Sequence, residues 1–230
     1  LMAEVVESKE QVLIRYRERD LRGCTLRGMR LQGMSLVGAD LTDVRFESCD
    51  LDGINLTGAT LTRTVLERCN ITRGQLSGTA LSRATFTDCN LTEADLSQAL
   101  LDHVEFKRCD MDNAVLDRAS LSSCILQPNR AYGLKLRGAI LTRCKFQTEQ
   151  GAPEMTRAQL HSATLIDCDF GGACLIRSDL RAALVVKTDL QRALLRDAQV
   201  EQTTLIHCGT MGAELPAALV AGTAASRPVG

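Results

Sequence analysis

Residues 86–111 read FTDCNLTEADLSQALLDHVEFKRCDM, and every fifth position, from Phe86 through Leu91, Leu96, Leu101 and Phe106 to Met111, is apolar. The rhythm extends in both directions: counted from Leu21, each fifth residue is apolar without exception through Leu126. An α-helix repeats its faces every 3.6 residues and a strand every two, so a period of five fits neither. The chain must turn a corner every five residues. A short period sustained over most of a chain is the mark of a solenoid.

Each five-residue unit has an internal code. The residue two before the apolar centre is usually small, as at Ala39, Ala59, Ala84, Ala94, Ala114, Cys49, Cys69, Cys89 and Cys109. The residue just before the centre is often polar, as at Asp40, Asn55, Asn70, Asn90, Asp95 and Asp110. Stretches such as GADLT, ATFTD and EADLS resemble the pentapeptide-repeat family, whose motif is A-(D/N)-L-x-x, and the resemblance covers most of the chain. It implies an all-β fold, a right-handed quadrilateral parallel β-helix with four pentapeptides to each coil. The centre and the small residue two before it would point inward and the other three outward.

A second period supports four-sided coils independently. Spaced by twenty residues stand FESCDL at Phe46, LERCNI at Leu66, FTDCNL at Phe86 and FKRCDM at Phe106. Phe46, Phe86, Phe106 and Phe146 are therefore expected to stack on one side, with Cys49, Cys69, Cys89 and Cys109 stacked on the next. About ten coils at the ~4.8 Å spacing of neighbouring strands give a rod of roughly 45–50 Å.

The register is disturbed twice, at about 127–135 and 147–158. The first stretch, QPNRAYGLK, has Pro128, puts Ala131 at a centre and puts Leu134 where a small residue belongs. The second carries Gly151 and Pro153. Placing Leu165 on the Phe46 side makes this coil one residue short, a distorted wall and not a projecting loop. Residues 1–20 lack the repeat. Met2, Val5, Val6, Val12, Leu13 and Tyr16 recur every three to four positions, which suits a short amphipathic helix capping the first coil. The repeat is expected over 21–215, with a tail of small apolar residues at 216–230. Leu1 ahead of Met2 suggests a piece of a longer protein.

Composition narrows function by exclusion. The 230 residues are 45% apolar yet only 3% aromatic, with net charge −1, which gives no reason to expect direct nucleic-acid binding. No apolar run reaches the ~18 residues of a membrane span, and the start has no basic-then-apolar leader. Nine of the ten cysteines occupy the small inward position, Cys174 being the exception, so they read as compact core residues. Without C-x-x-C spacing or a nearby histidine, zinc is disfavoured. Free buried thiols favour a reducing compartment, the cytoplasm or a host cytosol after export. His103, His161 and His207 fall in outward slots far apart. With no catalytic motif and a filled core, the expectation is a non-enzyme without cofactor or small-molecule substrate.

Charge is segregated along the chain. From Ala84 to Asp117 eight acids stand against Lys107 and Arg108, a net of −6, while Arg118 to Lys145 holds six bases and no acid, a net of +6. These belts read either as a solvated surface that neutralises itself or as a docking band for a protein. The docking residues would be Arg130, Tyr132, Lys135, Arg137, Arg143 and Lys145, with the tyrosine flanked by bases on the broken wall. The preferred function is a bacterial protein-interaction scaffold or adaptor. Arrays resembling this one occur in secretion-associated proteins, including type VI secretion accessory proteins, and in translocated effectors. The alternative is a DNA mimic that binds a type II topoisomerase, like the quinolone-resistance branch of the family. That branch needs a long acidic face and projecting loops. A homodimer through a solenoid end is a further expected partner.

Overall fold

In the computed structural model, which describes residues 4–147 and 153–219, the chain winds into a parallel β-solenoid of about ten turns. The corners explain the period. In most pentapeptides the amide three residues beyond the centre donates to the centre's carbonyl, as from Ile54 to Leu51 at 3.0 Å and from Ala94 to Leu91 at 3.0 Å. The residue two beyond the centre takes a positive φ, 63° at Gly53 and 58° at Glu93. This combination is a type II turn, which needs a left-handed residue at its third position. Glycine meets that need without a Cβ penalty at Gly53 and Gly58. Elsewhere the stacking of coils imposes it on larger residues such as Arg63 and Arg68, each at 53°.

Four turns close a coil, and corresponding residues then pair in parallel with the coil above. The first face carries β1 (Val5–Val6), β2 (Thr25–Arg27), β3 (Arg45–Glu47), β4 (Val65–Glu67) and β5 (Thr85–Thr87). It continues through Glu105–Asp110, Ile125–Arg130 and Lys145–Phe146. The fourth face is a six-stranded sheet from Leu100–Asp102 to Thr204–Ile206. The second and third faces are held by single bridges, such as Asp50 to Asn70 and Asn55 to Gln75. Every centre from Leu21 to Leu195 is at most 2% exposed. Each coil thus buries its leucines against its neighbours and not within itself.

Aromatic rings follow this stacking. Phe86 lies on Phe106 at 4.8 Å between centroids and 17° between planes, and Phe146 lies on Phe170 at 4.2 Å and 19°. Leu66 and Leu126 separate Phe46 and Phe146 from the central pair.

The pairing of Phe170 with Phe146 corrects the sequence reading. Leu165 pairs with Leu141 on the fourth face, and Asp169 bridges Lys145 on the first. The coil that passes through 147–154 is therefore 24 residues long, four more than its neighbours and not one fewer. Residues 148–152 lie outside the described residues, and so does the expectation of a distorted wall there. The cause of the misreading is chemical: IDCDF marks a position within a pentapeptide, and that position exists on every face.

The earlier irregularity is a β-bulge. Cys109 pairs with Pro128 and Asp110 with Arg130, which shifts the register within the strand. At this corner the lower coils donate an amide upward, as from Asp88 to Lys107 at 2.9 Å. Proline has no amide to give. Pro128 turns inward instead, and Asn129 faces out and donates from Nδ2 to the Arg108 carbonyl at 3.0 Å. Ala131 and Leu134 are both fully buried, so a small centre and a large neighbour exchange places within one coil.

The N-terminal cap is a strand followed by a helix. Val5 and Val6 extend the first face by pairing with Thr25 and Leu26, and the helix covers Lys9–Glu18. Ser8 caps it by accepting the Gln11 amide at 3.2 Å, and Arg19 ends it in the left-handed conformation. Val5 and Val6 are thus not on the helix, because a solenoid edge offers unpaired backbone that a strand satisfies better. Met2 lies outside the described residues. At the other end 217–219 forms a helical turn that places buried Leu219 over the last coil, and the tail from 220 on lies outside the described residues.

Candidate protein-binding belt

The motif's polar position has a structural task that decides how to read the charged belts. Where units are held by single bridges and not by three-residue strands, the amide just after the centre points outward and no backbone carbonyl meets it. In ordinary units the Asp or Asn before the centre accepts it. Asp40 takes Thr42 N at 3.0 Å, Asn55 takes Thr57 N at 3.0 Å, Asn90 takes Thr92 N at 3.0 Å and Asp95 takes Ser97 N at 2.9 Å. These are Asx turns, in which a short side chain stands in for a missing backbone partner.

The basic coil lacks such acceptors, since Arg130 and Lys135 occupy those positions. It takes them from the acidic coil below. Asp112 accepts the Tyr132 amide at 2.9 Å on Oδ1 and the Arg130 guanidinium at 2.5 Å on Oδ2. Asp117 accepts the Arg137 amide at 2.9 Å and its Nε at 2.8 Å. Asp112 is nearly buried, at 9% exposure. Within these pairs the belts serve each other, and the positive and negative coils are adjacent for a reason of backbone satisfaction.

The six residues singled out from the sequence ring one coil. Arg130 and Tyr132 stand on the second face and Lys135 and Arg137 on the third, adjoining across the Gly133 corner. Arg143 stands at the corner between the fourth and first faces, with Nε 3.3 Å from Ser123 Oγ, and Lys145 is on the first face. Four therefore share an edge and two lie on the far side. Sequence reasoning missed Arg157, whose guanidinium lies over the Tyr132 ring at 5.7 Å from the centroid. It stands one coil up, and the inserted residues hid that neighbourhood.

The cysteines form two ladders. Cys49, Cys69, Cys89 and Cys109 rise along the second face, and Cys124, Cys144 and Cys168 along the first. Each thiol donates to a carbonyl of the coil below, as from Cys89 to Leu66 O at 3.4 Å and from Cys168 to Leu141 O at 3.4 Å. A hydrogen bond with the Cys109 thiol, together with burial, pushes Cys89 up to about 12. Contact with Cys124 and burial do the same to Cys144, up to about 12. Such thiols are poor nucleophiles. We expect a disulfide reagent at mildly alkaline pH to modify half-buried Cys174 first and Cys208 more slowly, leaving the eight buried cysteines silent until unfolding. Peptide mapping that found Cys89 labelled in the native protein would contradict the inward placement.

Among the described residues no group of three or more His, Cys, Asp or Glu is placed to hold a metal ion. His103 Nδ1 meets the adjacent Asp102 at 2.9 Å on an exposed corner. A cleft of about 580 Å³ lies outside the core, between the capping helix and the first coils, lined by Tyr16, Arg17, Arg19, Val37 and Asp40. Tyr16 closes one side of it by donating to Val37 O at 2.9 Å.

The fourth face also escaped sequence reasoning. The positions on either side of its centres from Ser120 to Ile206 bear no charge, and Ile140, Leu184 and Ile206 are 51%, 38% and 39% exposed. Aligning the residues on either side of each centre at the coil length would have exposed it, given the correct length for the coil through 147–154.

A family model described as a pentapeptide repeat region matches residues 13–76 and 79–150, and one of eight-copy pentapeptide repeats matches 154–181 and 173–208. Several solved structures are similar. HetL, a pentapeptide repeat protein involved in heterocyst differentiation regulation from the cyanobacterium Nostoc, is 23% identical over 92% of this chain and 98% of its own, with a TM-score of 0.33. Full-length QnrB1, a plasmid-mediated fluoroquinolone resistance protein, is 17% identical over 79% of this chain and 93% of its own, with a TM-score of 0.51. A pentapeptide repeat protein of the Arabidopsis thaliana thylakoid lumen is 24% identical over 44% of this chain and 68% of its own, with a TM-score of 0.40. At such identities the likeness to QnrB1 concerns the fold. No curated protein matches the chain.

Proposed function

Because the chain belongs to the pentapeptide-repeat family, we propose that it is a non-catalytic scaffold or adaptor that recognises a protein through its outer faces. A closed interior supports this: every described centre from Leu21 to Leu195 is buried, so among the described residues the solenoid has no internal room for a substrate. Recognition then falls to side chains on a stiff rod. The edge made by Arg130, Tyr132, Lys135 and Arg137 offers the docking surface, with Arg143 and Lys145 extending the positive charge round the coil. A ring flanked by guanidinium groups has the composition of an interface anchor. Free, buried thiols suit a reducing compartment, in keeping with a bacterial cytoplasm or, for a secretion-associated adaptor or translocated effector, a host cytosol.

A second reading, a DNA mimic directed at a type II topoisomerase, is favoured by the 24-residue coil, which supplies the extra residues such a protein would need for a loop. Against it stands the pairing of acids with bases, as in Asp88 with Arg108 and Asp43 with Arg63. A basic DNA channel needs unneutralised acid along the rod.

Affinity capture from a bacterial lysate, with the natural chain and an Arg130→Ala, Tyr132→Ala, Lys135→Ala variant as baits, tests both. The expected result is a protein held by the first and lost by the second, with the variant's melting temperature checked because Arg130 meets Asp112. Recovery of topoisomerase subunits on both baits would establish the second reading. Identical background on both would reject the belt as a docking site.

A further inference from the structure

The fourth face differs from the other three in carrying no charge beside its centres over its last rows, and its side chains form an ordered array. Pairing places Ile140, Thr164, Leu184 and Thr204 in one column and Thr142, Ile166, Val186 and Ile206 in the other. At the corner beside them Arg143, Asp167, Lys187 and His207 form a third column. Bulky and small residues alternate along the first column and, out of phase, along most of the second.

We propose that this face joins two copies of the chain, packed face to face with their solenoid axes opposed. The two-fold axis would run along the strand direction, midway between the rows Thr164–Ile166 and Leu184–Val186. Like columns then meet with the row order reversed. Ile140 falls against Thr204 of the second copy, Thr164 against Leu184, and Thr142 against Ile206, a large residue meeting a small one each time. Ile166 meets Val186 near the axis. At the corner Asp167 falls against Lys187 of the second copy, and by symmetry this happens twice. Within one chain Asp167 and Lys187 form no ion pair among the described residues, although Arg63 with Asp43 and Arg108 with Asp88 pair one coil apart in comparable columns.

Charge also selects the orientation. With the axes parallel, the two outer columns would exchange, Leu100 would meet Asp102, and Asp167 and Lys187 would lie on opposite outer edges of the pair. The opposed arrangement places neither Leu100 nor Asp102 in the contact. Both copies share one row spacing, so the rows stay in register across the whole patch. Four rows at ~4.8 Å span about 20 Å, at the small end of specific interfaces, so the pair exchanges with the monomer.

Sedimentation equilibrium of the full chain over a range of concentrations tests this. A monomer–dimer equilibrium is expected, and Leu184→Glu, an outward change, should abolish the dimer while leaving the melting temperature unchanged. Asp167→Lys and Lys187→Asp should each weaken association by about tenfold or more, because like charges then face each other, and the double reversal should restore it. A chain that stays monomeric into the millimolar range overturns the proposal and leaves the face to a different protein. A dimer indifferent to Leu184→Glu overturns it in favour of another surface, such as a solenoid end. Failure of the double reversal to restore association overturns the opposed orientation.

Discussion

Phe86→Asp is expected to unfold the central coils. The Phe86 ring is fully buried and stacked on Phe106 at 4.8 Å, and removing a buried phenylalanine alone costs about 3–5 kcal/mol. The substitution also places a carboxylate where no donor waits, which adds several kcal/mol more or forces the group to stay protonated. Together these approach the roughly 5–15 kcal/mol that holds a typical domain folded. In a solenoid each coil is stable only against its neighbours, so the damage spreads to the coils centred on Leu66 and Phe106. Circular dichroism should lose most of its β signal at room temperature, and limited proteolysis should cut between residues 60 and 125. Asp95→Ala is the control. It removes one exposed-side acceptor from Ser97 N, costs about 1 kcal/mol or less, and should leave the spectrum unchanged. The reverse pattern would invert the assignment of inward and outward positions.

The second large effect concerns the exchange of sizes at Ala131 and Leu134. Leu134 fills a place that alanine holds in the adjoining coils, at Ala114 and Ala158, while Ala131 stands between Met111 and Met155 in the column of centres. Leu134→Ala should cost about 2–5 kcal/mol by leaving a cavity. Ala131→Leu should cost about 1–3 kcal/mol by overpacking. The double change restores the ordinary order of large centre and small neighbour, so it should melt well above the Leu134→Ala single variant. Coupling between neighbours of this kind reaches about 3 kcal/mol. Additive losses in the thermal melts would mean that the two residues do not share one space.

How far the sequence reached depended on whether a feature is local. The period from Leu21 to Leu126 specifies corners, since a type II turn and an inward leucine are both defined within five residues. The polar position before each centre was visible but not its task. Only the structure shows Asp95 accepting Ser97 N, and Asp112 doing the same service for Tyr132 from another coil. Opposite charges on consecutive coils looked like a candidate docking band. Two of its four acids nearest the basic coil, Asp112 and Asp117, prove to be bound to the amides and guanidinium groups above them. The cap was legible as apolar residues before the repeat, but not as a strand, because pairing of Val5 with Thr25 depends on the edge that the first coil presents.

The misplaced coil shows the boundary most clearly. Cys168 sits two before Phe170 just as Cys49 sits two before Leu51, and the shared motif suggested a shared neighbourhood. Cys168 in fact continues the ladder of Cys124 and Cys144, because the chain through 147–154 is longer than its neighbours. The sequence by itself determined that this protein turns every five residues, that four turns make a coil, and which residues face inward, since burial within each unit answers to local spacing. The tertiary structure alone decided which coils touch after residue 147, which acids are neutralised and which face is left apolar. Those depend on what stacks on what, and stacking is set by the summed length of a coil and not by any single pentapeptide.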